Sequence, residues 1–271
     1  MDLNDVSLVI IGYDPYKDVW DHYFDLLNKY WKDRPATYLV GNTIQPIYAG
    51  VTVLSAGADA EWSKKVQVAL DAVKTKYIVL LLEDFFTTFP VSNKTLQHLV
   101  QIMDKGNAVY CKLQNQSRIK GEQYKNYSYL HVLDKKSEYG VSLQPAIWNR
   151  EFLKKLVGTE NYNAWIFEIN QVKSRVHCDP NYLCLGDRRN ILKITHAVVQ
   201  SEYLPAAIRI FKKQNYRIDT SKRPVMPFKE YAKYKLKRDV SEITPEFLKP
   251  MMKRIGRTFK VDFVSDRMKG M

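Results

Sequence analysis

Cysteine is scarce in this chain of 271 residues: Cys111, Cys178 and Cys184 are the whole set. An odd and sparse set excludes a disulfide framework. Cys178 and Cys184 also lack the Cys-x-x-Cys spacing of a zinc site, so all three read as structural thiols. No apolar run approaches the ~20 residues needed to span a bilayer. No Gly-x-Gly-x-x-Gly follows a strand, which excludes a Rossmann dehydrogenase. The segment Gly12-Tyr13-Asp14-Pro15-Tyr16 lacks the glycines of a nucleotidyltransferase phosphate loop. RNP, KH and zinc-finger patterns are missing, as are internal repeats. Met1 to Asp5 is acidic with no basic n-region, so a secretory signal is not expected and the expected location is cytoplasmic.

What is present is a globular composition, 45% apolar and 26% charged, with aromatics at 13%. The formal charge of +13 directs the protein toward anionic partners. Nucleic acid, an anionic membrane and pyrophosphate-bearing substrates all satisfy that, and charge alone does not choose among them.

Val6 to Ile11 is an apolar run interrupted only by Ser7, the pattern of a parallel strand covered on both faces. A helical stripe follows through Trp20, Tyr23, Phe24, Leu27, Tyr30 and Trp31. Ala36 to Val40 and Val51 to Leu54 predict two further strands, and Trp62, Val66, Ala69, Leu70 and Val73 a second helix. The strongest strand, Tyr77 to Leu82, ends in Glu83-Asp84. Leu96, Leu99, Val100 and Met103 mark another helix before a strand over Ala108 to Leu113. Strands alternating with amphipathic helices predict a layered, mostly parallel α/β sheet.

Beyond residue 114 the rhythm is less regular. Gln114 to Ser128 reads as a loop, and Tyr129 to Leu133, Val141 to Trp148, Val176 to Leu185 and Ile194 to Val199 as strands. Arg150 to Val157 and Trp165 to Val172 read as short helices. From Asp219 onward 14 Lys/Arg face 7 Asp/Glu, so this tail holds about half the net charge, and its four prolines predict short helices.

Open α/β sheets bind ligands beyond the carboxyl ends of their strands, where loops and helix N-termini converge. Glu83 and Asp84 sit at such an end. Two carboxylates there either cap a helix and face water, or hold Mg²⁺ or Mn²⁺ against a pyrophosphate leaving group.

Val9-Ile10-Ile11-Gly12-Tyr13, Leu39-Val40-Gly41-Asn42 and Leu81-Leu82-Glu83-Asp84-Phe85-Phe86 together resemble the donor half of GT-A glycosyltransferases. Ser142-Leu143-Gln144-Pro145-Ala146-Ile147-Trp148 and Trp165-Ile166-Phe167-Glu168 resemble the acceptor half of small transferases from bacterial surface-polysaccharide clusters. The resemblance covers roughly residues 5 to 205. It implies a Rossmann-like mixed sheet flanked by helices over residues 1–218, with the donor half at about 1–113 and the acceptor half at about 114–218. Residues 219–271 would form a basic helical appendage. It also implies sugar transfer from a nucleotide-diphosphate donor, UDP-linked in the first instance, to a glycan or polyprenyl-linked glycan. The metal motif of the family is usually Asp-x-Asp, whereas Glu83-Asp84-Phe85 has an apolar residue at one carboxylate position.

By this resemblance Asp84 meets the metal or diphosphate, and Glu83 a ribose or sugar hydroxyl. His196 is a second candidate metal ligand, or else a hydrogen-bonded strand histidine. Gly12, Tyr13 and Asp14 follow the first strand, where the nucleoside is held, with Asn42 and Asp59 as lesser donor contacts. Arg188 and Arg189 either neutralise the leaving diphosphate or form a solvated turn. Glu168, after an aromatic stretch that raises a carboxyl pKa, is the candidate general base for inverting transfer, or a surface helix residue. Gln144, Trp148 and Trp165 are candidate acceptor contacts, or core in the case of each tryptophan. The basic tail either packs as a solvated appendage or lies on an anionic membrane. The competing class is a non-catalytic protein binding an anionic ligand or nucleic acid; for the transferase, no nucleic-acid partner is expected.

Overall fold

A computed structural model describes residues 3–113, 121–137 and 139–243, with side chains as far as residue 236. In chain order the elements of the first half are β1 (Val6–Ile11), α1 (Lys17–Tyr30), β2 (Ala36–Gly41), β3 (Val51–Ser55), α2 (Trp62–Ala72), β4 (Tyr77–Leu82), β5 (Phe85–Thr87), α3 (Asn93–Gly106) and β6 (Ala108–Lys112). Then come β7 (Gln123–Tyr124), β8 (Tyr127–Val132), β9 (Ala146–Asn149), α4 (Arg150–Val157), α5 (Ala164–Ser174) and β10 (Leu183–Asp187). The chain continues through β11 (Ile194–His196), β12 (Val198–Val199), β13 (Glu202–Tyr203), α6 (Pro205–Lys213) and α7 (Phe228–Ile243). Met1–Val225 forms one compact unit and Met226–Met271 a second, of which α7 is the described element.

Among the described residues nine strands form one sheet in the order β3-β2-β1-β4-β9-β6-β10-β8-β7. The first four run parallel, β9 opposes both β4 and β6, and β10 is parallel to β6. This is the mixed α/β sheet with flanking helices that the sequence predicts. Its carboxyl edge carries the ends of β1, β2, β3, β4, β6 and β10, together with the starts of β8 and β9.

β1 and the first five residues of β4 are buried, as strands covered on both faces must be. Val9, Ile11, Val40, Ile78 and Leu80 pack in one cluster with Trp62 and Val66 of α2, Phe152 of α4 and Phe167 of α5. The alternate positions Leu8, Ile10, Leu39, Val79 and Leu81 are equally buried and face the opposite side, as period-two alternation requires. Helix starts are set by capping: Ser92, Asn149 and Asn163 each accept a backbone N–H of the first turn of α3, α4 and α5.

Several boundaries differ from the sequence reading. Val141 to Pro145 is not strand; β9 starts at Ala146, after a loop pinned by Pro145 O, which accepts the Leu113 N–H at 2.8 Å. Val176 to Cys178 is a single 3-10 turn rather than strand, because α5 ends in a left-handed Arg175 (φ 47°) that redirects the chain. Gln123–Tyr124 and Tyr127–Ser128 are strand within the segment read as loop; residues 114–120 lie outside the described residues. In the tail, α7 runs 16 residues, longer than the prolines suggested, because it starts one residue after Pro227 and ends two before Pro245. Residues 219–225, read as the start of the tail, belong to the first unit. The apolar and basic set at Phe247, Leu248, Met251 and Met252 lies outside the described residues.

Candidate functional site

The edge of the sheet is built around Glu83. Its carboxylate is 9% exposed, and one oxygen, Oε2, accepts both the Tyr13 N–H at 2.7 Å and the Trp20 indole Nε1–H. Burial pushes the carboxyl up to about 8 against those two donors. Glu83 therefore buttresses the loop after β1 rather than presenting itself to a ribose, which revises the role implied by the resemblance. Gly12 belongs to the same joint. A Cβ there would stand 2.7 Å from the Trp20 ring and 3.0 Å from Leu39, so glycine is what lets the indole reach Glu83.

Lys65 completes this layer. It is 5% exposed, donates to Gly12 O at 2.9 Å and lies 5.3 Å from the centroid of the Tyr13 ring. Burial lowers its pKa, opposed by Glu83, Asp14 and Glu61. Sequence reading passed it over, although the signal was there: Trp62, Lys65 and Ala69 fall at helical spacing on the buried stripe of α2. Above it the Tyr13 ring is 52% exposed and open to a ligand.

Asp14 is committed to the loop after β2. Oδ1 accepts from Asn42 N at 2.8 Å, and Oδ2 from Thr43 N and Thr43 Oγ1 at 2.8 Å and Ile44 N at 3.0 Å. Burial opposes ionisation of this carboxyl, but the four donors outweigh it and hold the pKa below the usual range. Asn42 donates from Nδ2 to the carbonyls of Gly57, Ala58 and Ala60, joining the loops after β2 and β3. Asp59 is exposed on the second of these loops. Asp14 and Asn42 thus shape the loops after β1, β2 and β3 through backbone rather than offering free side chains.

Asp84 faces the other way. β11 pairs antiparallel with β5, His196 opposite Phe85, and the Ala197 N–H donates to Asp84 O at 3.0 Å. This brings His196 Nε2 to 2.5 Å from Asp84 Oδ2 across 112 residues of sequence. The other oxygen, Oδ1, is buried without a hydrogen-bond partner among the described residues. A hard-oxygen donor with an unused lone pair beside an imidazole suits a divalent cation. Among the described residues no group of three or more His, Cys, Asp or Glu side chains is assembled to hold a metal, so remaining ligands would come from substrate phosphate and water.

Glu168 of α5 accepts the Leu143 N–H at 3.0 Å through Oε1, which fixes it behind the loop leading into β9, the neighbour of β4. Burial raises its pKa, opposed by that bond and by Lys112. Trp165, one turn earlier, is 56% exposed, and Gln144 is half-buried beside Leu143. Trp148 is different: it is fully buried, with Tyr110 at 4.5 Å and Phe167 at 6.1 Å between ring centroids. It is a core residue, because its strand lies in the middle of the sheet, and no acceptor can reach it.

The arginines are also reassigned. Arg189 is held by the fully buried Asp187 through Nη2 at 2.6 Å and Nε at 3.1 Å, with its guanidinium 3.5 Å from the centroid of the Tyr129 ring. Arg188 N donates to Tyr129 O at 3.0 Å. Both follow β10, three strand positions and so about 14 Å from β4. The Arg189 side chain is committed to Asp187 and not to Asp84.

No protein-family model matches the chain, and no curated protein matches its sequence. Solved structures similar to it include Staphylococcus aureus TarS, at 14% identity and TM-score 0.47 over 73% of this chain and 37% of that one. A second is the mannosyltransferase PcManGT from Pyrobaculum calidifontis in complex with GDP-Man and Mn²⁺, at 13% identity and TM-score 0.49 over 73% of this chain and 58% of that one. A third, 4-diphosphocytidyl-2C-methyl-D-erythritol synthase from Anaerococcus prevotii, is 7% identical with TM-score 0.42 over 78% and 96% of the two chains. The chain therefore spans 37% and 58% of the lengths of TarS and PcManGT, and glycosyltransferases are among the solved structures that it is similar to.

Proposed function

We propose that the protein is a glycosyltransferase of the GT-A type, moving a sugar from a nucleoside diphosphate donor to a carbohydrate acceptor. The single observation that carries this reading is the Asp84–His196 pair at the carboxyl edge of the sheet, with Asp84 Oδ1 unspent. Tyr13 stacks on the nucleobase, Lys65 adds positive potential beneath it, and the backbone of the Asp14-bound loop borders the nucleoside. Asp84 and His196 are the residues that would hold Mg²⁺ or Mn²⁺, and such an ion would offset charge developing on the leaving diphosphate.

Glu168 is the proposed base: it takes the proton of the acceptor hydroxyl as the new glycosidic bond forms and the bond to diphosphate breaks. One base beside an exposed Trp165 and Gln144 favours inversion and an acceptor entering from the β9 side. The acceptor is proposed to be a glycan of surface-polysaccharide synthesis, on a polyprenyl carrier approached from an anionic membrane through the basic tail. No helix of the described residues is long and apolar enough to cross a membrane.

The test is a screen of UDP- and GDP-sugars for hydrolysis and thermal stabilisation, with and without Mn²⁺. A Mn²⁺-dependent response to at least one donor, lost in Asp84→Asn while the fold survives, is expected. No response to any donor would count against the reading.

A further inference from the structure

Arg223 lies in a segment with no element of its own, yet it is 6% exposed and bonded on every side. Nε and Nη2 each reach Asp18 of α1 at 3.1 Å. Nη1 donates to Ser201 O at 3.0 Å, Nη2 also approaches Pro15 O at 3.4 Å, and the guanidinium lies 4.0 Å from the Tyr16 ring centroid. Its neighbours are strapped down as well: Tyr203 N donates to Pro224 O at 2.9 Å, and Tyr203 pairs with Val225.

The two things Arg223 joins are the two walls of the donor site. One is the loop after β1, whose Tyr13 N–H is fixed by Glu83 and whose Tyr13 and Tyr16 rings lie 6.1 Å apart. The other is the β12–β13 hairpin, which begins one residue after Ala197, itself bonded to Asp84 O. The hairpin turn meets the loop directly, Tyr16 OH to Ser201 Oγ at 3.0 Å. Both central residues of that turn are in the left-handed region, Gln200 at φ 51° and Ser201 at φ 65°. A two-residue hairpin turn of type I′ has positive φ at both positions, and glycine or asparagine fills them at least cost. Here a glutamine and a serine do so, and backbone held in that region is maintained only when surrounding contacts impose it. Arg223 and Tyr16 supply those contacts, at the entrance of the site.

We infer that Arg223 is a positioning residue for donor binding: with Tyr16 and Ser201 it forms a clasp that holds the β12–β13 turn against the loop after β1 and so sets the width of the nucleotide-diphosphate site. The inference rests on the donor-site reading above. The side chain itself touches no donor atom; it acts through the backbone of residues 15 and 201.

The experiment measures UDP and GDP affinity by calorimetry in the presence of Mn²⁺, alongside the melting temperature, for wild type, Arg223→Lys, Tyr16→Phe and Ser201→Gly. Ser201→Gly separates the clasp from mere stability. Glycine relieves the left-handed turn and should raise the melting temperature, while loss of the bond to Tyr16 should weaken nucleotide binding about tenfold, the equivalent of one net hydrogen bond. Tyr16→Phe should weaken binding to a similar extent, and Arg223→Lys more. Wild type binding a nucleotide with all three variants equal to it would overturn the clasp and leave the donor site standing. So would a Ser201→Gly variant that is both more stable and unimpaired. Wild type binding neither nucleotide would overturn the donor-site reading and the clasp with it.

Discussion

Replacing Arg189 by methionine keeps an unbranched apolar stem and removes the guanidinium, leaving Asp187 with no exposure and only the backbone N–H of residue 189, at 2.8 Å, as a donor from this pair. Taking one partner from a buried ion pair costs about 3–5 kcal/mol. Arg189 is 30% exposed and the backbone bond survives, so the lower end applies, about 3 kcal/mol including the lost contact with the Tyr129 face. Asp187→Asn orphans the guanidinium instead and should cost less, since the arginine can turn toward water. The double variant Asp187→Asn/Arg189→Met leaves neither charge unpaired and should recover about 1–2 kcal/mol relative to the sum of the singles. Urea unfolding at pH 7 measures all four proteins. UDP affinity should stay within about twofold of wild type, because the pair stands about 14 Å along the sheet from β4. An Arg189→Met protein of unchanged stability with a tenfold weaker affinity for nucleotide would refute this account and return the arginine to the diphosphate.

The other expectations concern the edge and its supports. Glu168→Gln should retain donor binding and lose transfer; since burial raises the Glu168 pKa, wild-type activity should rise with pH through a midpoint above the ordinary 4.5, and that limb should vanish in the variant. Gly12→Ala should cost about 1–3 kcal/mol by overpacking against Trp20, and should weaken nucleotide binding because the indole is what steadies Glu83. Thermal melts with and without UDP read both effects. His22 accepts the Asp219 N–H at Nε2, so it is neutral in the fold. Burial lowers its pKa against the pull of Asp25, Asp21, Asp219 and Asp18. Its contribution to stability should be complete above pH 6.5 and lost as pH falls through the lower folded value, and His22→Gln should flatten that part of the stability profile.

The layered fold was readable because its signals are local. Val6 to Ile11 and Tyr77 to Leu82 match the observed β1 and β4 end to end, since a strand covered on both faces is apolar almost throughout, Ser7 being the exception in β1. Arg150 to Val157 is likewise the observed α4, delimited by an asparagine cap and Gly158 at φ 66°. Irregular parts escaped for the same reason. β5 and β11 are three residues each and exist through one another, with more than a hundred residues between them, so no window on either could reveal the pair.

The site divides along the same line. Asp84 and Tyr13 could be placed at the carboxyl edge from sequence, because each follows the end of a strongly apolar strand. What sequence could not distinguish is whether a polar group at that edge faces the ligand or the protein. Glu83 and Asp84 are adjacent and chemically alike, but in the turn between β4 and β5 one is bonded to Trp20 and the other to His196. Asp14, Asn42 and Arg189 went the way of Glu83, each consumed by backbone or a buried partner. Arg223 was hidden among the basic residues of the last quarter of the chain, and only its contacts with Asp18 and Ser201 separate it from the charges around it. On the proposed function the edge has two layers: Glu83, Asp14 and Arg223 fix the loops, and Asp84, Tyr13 and His196 are the residues assigned to the substrate. Substitutions in the first layer should change affinity through geometry and stability together, whereas those in the second should change chemistry at constant fold.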